Sequence, residues 1–169
     1  KGHNPYTHFE NEEFTVRGVK TKNYTYLRQE EVDILESLEL SGTEDDIRDS
    51  FLISCYTGLR ISDNSKLVSG NFIKLNNGKK AVKIWMEKTK KSVIIPIHPV
   101  VERILEKRGG NPPHQYAEQT GNEKIKIICQ KAGFEEDFEL VEFKGTDMVQ
   151  TIVPRLSLIH ISEPTRHRR

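Results

Sequence analysis

The first third of the chain has apolar residues at helical spacing. A predicted helix spans residues 28–38, where acidic residues alternate with an apolar side formed by Val32, Leu35 and Leu38. A second helix is predicted from Thr43, a potential N-cap, through the run FLISCY, which is apolar on nearly every side and indicates a buried helix. Gly58 ends this helix, because glycine readily adopts the left-handed conformation found at helix C-termini. A short helix is predicted over residues 61–67.

Apolar residues then recur at every second position, which predicts β-strands. The strands cover residues 71–75, 81–87 and 92–97, with turns at NNG and at the basic sequence KTKK. Three strands joined by short turns form an antiparallel meander. One face of its middle strand is expected to carry Val82, Ile84 and Met86.

Helical spacing returns in the second half of the chain. Pro99 begins one predicted helix, whose buried side carries Val100, Val101, Ile104 and Leu105. A further helix ends at Gly133, and its buried side carries Ile125, Ile128, Cys129 and Ala132. A second hairpin is predicted around KGTD, residues 144–147. The fold class is therefore α+β, mostly helical, with a three-stranded meander and a second small hairpin.

Composition limits the location and class of the protein. The 169 residues correspond to about one domain, and no apolar run approaches the ~20 residues of a membrane span. Cys55 and Cys129 both lie in apolar helical runs, so we expect buried free thiols, as in a reducing cytoplasm. The net charge of +1 does not by itself indicate a nucleic-acid partner.

The sequence SCYTGLRISDNSKL, residues 54–67, contains the first candidate functional residue. Arg60 follows a helix-ending glycine by two residues, so it lies where the chain turns into the next helix. A planar guanidinium is suited to bidentate contact with phosphate oxygens, and Asp63 could support it. A surface salt bridge between Arg60 and Asp63 is the alternative.

Residues 79–91 concentrate positive charge. Six lysines accompany one acid, Glu87, and they are Lys79, Lys80, Lys83, Lys88, Lys90 and Lys91. The cluster is either a phosphate-binding surface or an ordinary solvated hairpin.

These motifs resemble the tyrosine recombinase (phage integrase) family. CYTGLRISDNSKL is similar to the family's first arginine box, which is roughly TGLR-x-S-[DE]. In the family a β-meander follows, and its last turn carries a catalytic lysine, which corresponds to Lys88. The element IPIHP, residues 95–99, is similar to the family's I-P-[LI]-x-P. The resemblance covers residues 4–155, and it is strongest to integrases of mobile elements from Bacteroides-type bacteria.

The resemblance implies site-specific DNA recombination or integration through a 3′-phosphotyrosyl intermediate. Arg60 would be the first catalytic arginine, Lys88 the general acid, and Asp63 a supporting residue. The partner would be double-stranded DNA, contacted by Lys79, Lys80, Lys83, Lys90 and Lys91. The family uses no metal or cofactor, assembles as tetramers on DNA, and acts in the bacterial cytoplasm.

The chain departs from the family pattern after the meander. No H-x-x-R box is present, because Glu163 occupies the arginine position after His160, and no tyrosine follows Tyr116. We therefore expect a truncated, monomeric and inactive catalytic domain, without the DNA-binding domain that precedes it in the family. His98, in IPIHP, is expected to be structural.

Three segments are expected along the chain. Residues 1–23 form a linker or arm, and residues 24–155 a partial recombinase catalytic domain. Residues 156–169 begin LSLIHISEPTR, which resembles the translation of a transposase-type sequencing-library adapter. A segment of such origin is expected to contribute less than about 0.5 kcal/mol to stability.

The sequence is also compatible with three other functions. The first is a non-catalytic DNA-binding module or regulator with the same fold. The second is a type IB topoisomerase, which shares the chemistry. The third is a structural interaction domain in which Arg60 only forms a salt bridge.

Overall fold

The computed structural model describes residues 25–144 and 147–159. The element order confirms the α+β class, the meander and the second hairpin. None of the helices within these residues is both long and apolar enough to span a membrane. The elements are α1 (Gln29–Ser37), α2 (Gly42–Thr57), α3 (Ile61–Asn64), a 3₁₀ turn (Ser69–Asn71), β1 (Phe72–Lys74), β2 (Lys80–Met86), β3 (Lys91–Pro96), α4 (Pro99–Lys107), α5 (Glu118–Lys131), β4 (Asp137–Lys144), β5 (Asp147–Pro154) and a second 3₁₀ turn (Arg155–Leu158).

Helix α2 lies at the centre of the fold and contacts α1, α4 and α5. Its predicted buried run is confirmed over Phe51, Leu52 and Ile53. The buried run ends earlier than predicted. Cys55, which lies in the last turn of α2 near exposed Gly58, is exposed, so the prediction of a buried thiol is wrong for Cys55. Cys129 is buried, as predicted. The N-cap is Ser41 rather than Thr43, and α3 ends at Asn64 rather than at residue 67.

Arg48 stabilises the end of α1 by a contact that the sequence does not indicate. It is 5% exposed, and its Nη1 donates to the carbonyls of Leu35, Glu36 and Leu38 at 3.1, 3.1 and 2.9 Å. These carbonyls have no partner within their own helix, so Arg48 replaces a helix cap. Its remaining nitrogens bind the carboxylates of Asp45 and Asp49 at 2.7 and 2.6 Å.

The meander has one face on the core and one face in solvent. The sheet order is β1-β2-β3, with both pairs antiparallel. On β2, Val82 and Ile84 are buried and Met86 is partly buried, which confirms the predicted inner face. Helix α4 begins at Pro99 as predicted, and its predicted inward residues are all buried, namely Val100, Val101, Ile104 and Leu105.

Arg155 joins the end of β5 to the residues around the start of α1. It is 7% exposed, it forms an ion pair with buried Glu31, and it donates to the hydroxyl of Thr25 at 2.9 Å. In a third contact, Nη1 of Arg155 donates to Oε2 of Glu136 at 3.1 Å. The hydrogen bond from Arg155 lowers the pKa of Glu31 from 4.5 to about 2. Nothing in the sequence pattern indicates this structural role for Arg155.

The segment after Arg155 packs more closely than its sequence indicates. Ile159 is 8% exposed and belongs to the hydrophobic core, and Leu156 packs against the same core. Residues 160–169, including His160 and Glu163, lie outside the described residues, as do residues 1–24. The packing of Leu156 and Ile159 is a property of this chain whatever the origin of the segment.

This packing changes the expected effect of a deletion. Fully burying one isoleucine contributes about 1.5–3 kcal/mol. We therefore expect deletion of residues 156–169 to lower the free energy of unfolding by about 2 kcal/mol or more, and Ile159→Ala to account for most of it. Ile152→Ala is the matched control, because Ile152 is 74% exposed. Denaturant melts measure the free energy of unfolding of the deletion variant, of Ile159→Ala and of Ile152→Ala. A loss below about 0.5 kcal/mol on deletion would contradict this prediction and agree with the expectation from the sequence.

Candidate phosphate-binding site

The site begins at the corner between α2 and α3. Gly58 ends α2 with φ 67°, and its amide donates to the Ser54 carbonyl at 2.9 Å. This left-handed conformation is the one predicted for Gly58, and it favours glycine because it carries no Cβ. Leu59 follows and is 1% exposed, which anchors the corner in the core. Arg60 is then the N-cap residue of α3, held on a fixed backbone.

The guanidinium of Arg60 has unused hydrogen-bonding capacity. Its Nη1 is buried and has no hydrogen-bond partner among the described residues. Arginine keeps its charge at any physiological pH, and a buried charged donor without a partner is destabilising. The alternative, a salt bridge from Arg60 to Asp63, is not formed among the described residues, since Nη1 of Arg60 and Oδ2 of Asp63 are both buried without a hydrogen-bond partner. Such a donor is suited to an anionic ligand.

Asp63 links the arginine corner to the meander. It is 1% exposed, and its Oδ1 accepts a hydrogen bond from the amide of Glu87 at 3.1 Å. Its Oδ2 is also buried and has no partner within the described residues. Asp63 therefore positions the β2–β3 turn relative to α3, rather than contacting Arg60 by a hydrogen bond. The residue after Glu87 is Lys88.

The β2–β3 turn presents Lys88 to solvent. The last strand pair is Met86 with Lys91, and the amide of Lys90 donates to the Met86 carbonyl at 2.9 Å. Lys90 has φ 52°, an unusual conformation for a residue other than glycine, and it lets four residues close the turn. Lys88 is exposed.

Glu87 is the acidic residue of this turn, and its negative charge is paired with a lysine outside the turn. Its carboxylate forms an ion pair with Lys66, and this hydrogen bond lowers the pKa of Glu87. Lys66 lies two residues after the end of α3, so the pair is a second link between the arginine corner and the turn. The negative charge nearest to Lys88 in sequence is thereby compensated.

The six lysines of residues 79–91 divide into two groups. Lys80 forms ion pairs with Glu102 and Glu106 of α4, and these bonds raise its pKa. Lys80 is therefore engaged by the protein itself. No salt bridge within the described residues holds the other exposed lysines of this set, which are Lys79, Lys83, Lys88, Lys90 and Lys91.

Asn64 and His98 both contact α2. Asn64 is 1% exposed, and its Nδ2 donates to the Ser50 hydroxyl at 2.9 Å, which fixes α3 on α2. Asn64 is not among the predicted site residues, and the one sequence signal for it is its position within the motif around Arg60. His98 is structural as expected, because its Nδ1 accepts from the Val100 amide at 3.3 Å and its ring stacks on Tyr56 at 4.2 Å.

Comparison with known protein families and with curated proteins finds no match to this chain. Among solved structures, the chain is similar to the XerH site-specific recombinase in a pre-cleavage complex with its difH substrate. The TM-score is 0.47 and the sequence identity is 18%. The similarity covers 64% of this chain and 37% of the recombinase chain, so the matched region is little more than a third of that protein.

Proposed function

We propose that the chain is part of a tyrosine recombinase catalytic domain that breaks and rejoins DNA in the bacterial cytoplasm, as in phage and mobile-element integrases. Arg60 binds the scissile phosphate, and Lys88 protonates the departing 5′ oxygen. The observation that carries the proposal is the buried, unpaired Nη1 of Arg60, on a corner that Asp63 ties to the turn of Lys88.

The proposed chemistry uses cations of the protein where other enzymes use metal ions. A tyrosine that has lost its phenolic proton attacks the phosphorus through its phenolate oxygen, the bond to the 5′ oxygen breaks, and that oxygen takes a proton from the lysine. The energy of the phosphodiester is retained in the phosphotyrosine for religation. Arg60 would stabilise the negative charge that grows on the non-bridging oxygens, because its donors are oriented before the reaction begins.

The 169-residue chain is proposed to be inactive in cleavage, and monomeric rather than tetrameric. No tyrosine follows Tyr116 in its sequence. We expect no covalent adduct when it is incubated with a nicked duplex that traps cleavage products. A protein–DNA band that survives denaturing electrophoresis would contradict this expectation.

The alternative is a non-catalytic DNA-binding module or regulator of this fold. It uses the same surface, so both candidates require duplex DNA as a partner. They differ in whether a longer form of the protein, with a nucleophilic tyrosine, cleaves DNA.

Binding to duplex DNA is expected to be weak, independent of sequence and sensitive to salt. The free lysines of the turn could contact two to four phosphates, which gives a log–log salt slope of roughly −2 to −4. Replacing Lys90 and Lys91 by alanine should weaken binding and make the slope less steep. Fluorescence anisotropy of a labelled duplex at several salt concentrations measures both.

The matched control replaces Lys124 and Lys126, which lie on α5, by alanine. It removes the same charge from another part of the fold, so it should leave the slope nearly unchanged. Binding that does not depend on salt, or an equal effect of the two double substitutions, would contradict the assignment of the turn as the DNA-contacting surface.

A further inference from the structure

The solvent face of the meander carries an exposed aromatic side chain. Directly paired residues of an antiparallel sheet share a face, and the register pairs Trp85 with Ser92 and Lys83 with Ile94. Trp85 is 59% exposed and Ile94 is 54% exposed. The inner face is the one that carries Val82 and Ile84, so Trp85 contributes little to the core.

Trp85 and Ile94 are neighbours on this face. Ile94 lies two residues from the direct partner of Trp85, and such diagonal neighbours are about 7–8 Å apart. Lys83 is directly opposite Ile94 and two residues from Trp85 along β2, a separation of about 6.8 Å. A flat aromatic ring, an aliphatic side chain and an ammonium group therefore form one surface.

The charge around this surface favours a polyanion. Residues 72–97 contain seven lysines and one acid, Glu87, which is paired with Lys66. Lys80 is the lysine that α4 engages. An acidic ligand would therefore meet little repulsion from the sheet itself.

We propose that this face binds single-stranded DNA, with a base stacked on the Trp85 ring and the adjoining phosphate paired with Lys83. Exposed aromatic rings beside lysines bind single strands in this way, because every base has a π-face to stack. Bases in a duplex are already stacked on one another, so they have no face free for Trp85. The inference rests on the proposed function for the choice of DNA, and it adds a contact for strands that become unpaired.

Trp85 is the single tryptophan of the chain, so its fluorescence reports on this surface alone. Titration of the 169-residue protein with an oligothymidylate should quench the emission to saturation, with an affinity that falls as salt rises. Polyphosphate, which has the charge without the bases, should not quench. Trp85→Leu should weaken oligothymidylate binding about 5- to 150-fold in anisotropy, as a stacking contribution of about 1–3 kcal/mol implies.

Two variants separate this proposal from the phosphate site. Ile152→Ala removes an exposed apolar side chain from the other hairpin and should leave oligothymidylate binding unchanged. Arg60→Lys should weaken duplex binding but not the quenching by oligothymidylate, so either proposal can fail alone.

Several results would overturn the proposal. Oligothymidylate that binds the parent protein without quenching its fluorescence would be one such result. An affinity of Trp85→Leu for oligothymidylate equal to that of the parent protein would be another. The third would be quenching of the parent protein by an acidic peptide, which has no bases, to the same extent as by oligothymidylate. A blue shift of the emission with rising protein concentration, without DNA, would instead show that a second copy covers this face.

Discussion

Replacing Arg60 with alanine is expected to slow DNA cleavage by on the order of 10²-fold or more, in a longer form of the protein that carries an H-x-x-R box and a nucleophilic tyrosine. Removing one preorganised donor to a developing oxyanion typically has an effect of this size. The backbone that carries Arg60 is anchored by Gly58, which ends α2, and by buried Leu59. The rate of covalent adduct formation in single turnovers measures the effect.

Arg60→Lys is the informative companion to this substitution. Lysine keeps the charge but lacks the planar fork that contacts two phosphate oxygens at once. We expect cleavage to remain strongly impaired in Arg60→Lys, while the melting behaviour stays close to that of the parent protein. A normal cleavage rate in either variant would reject Arg60 as a phosphate-binding residue.

Replacing Arg155 with alanine is expected to lower the free energy of unfolding by about 3–5 kcal/mol. The substitution leaves the buried carboxylate of Glu31 without its main partner, and breaking a buried ion pair from one side has an effect of this size. Both residues are less than 10% exposed in the folded protein, so the ion pair is largely shielded from water. Denaturant melts at neutral pH measure the change.

Two comparisons establish whether the ion pair is responsible. Arg155→Met combined with Glu31→Leu should recover most of the lost stability, because no buried charge then remains unpaired. Arg103→Ala is the matched control, since the ion pair of Arg103 with Glu36 is exposed and should contribute less than about 1 kcal/mol. A loss within 0.5 kcal/mol for Arg155→Ala would contradict the assignment.

The same pair predicts a dependence of stability on pH. The pKa of Glu31 is lowered from 4.5 to about 2 in the folded protein. Its contribution is therefore complete above pH 4.5 and is lost as the pH falls towards 2, by about 3 kcal/mol in total. Glu31→Gln should remove this part of the acid-induced loss.

The secondary structure could be predicted because its signals are local. Apolar spacing identified the helices and the meander, and Gly58 marked the end of α2. The contacts of Arg48 and Arg155 could not be predicted in this way. Arg48 binds carbonyls 10–13 residues away, and Arg155 binds Glu31 across 124 residues, and neither pairing leaves a periodic pattern in the sequence.

The candidate site was predictable in its residues but not in its contacts. A motif selected Arg60, Asp63 and Lys88. Only the tertiary structure shows that Asp63 accepts from the Glu87 amide and that Arg60 has an unpaired nitrogen. It also shows that α4 engages Lys80, which charge counting alone grouped with the free lysines.

The central claim is that Arg60 binds a DNA phosphate, and the affinity of the 169-residue protein for duplex DNA tests it most directly. The measurement compares the parent protein with Arg60→Lys by anisotropy at one low salt concentration. Charge-assisted hydrogen bonds contribute about 1.5–3 kcal/mol. We therefore predict a loss of about 10-fold or more in affinity, although the net charge is unchanged. Equal affinities for the two proteins, with equal stabilities, would contradict the claim.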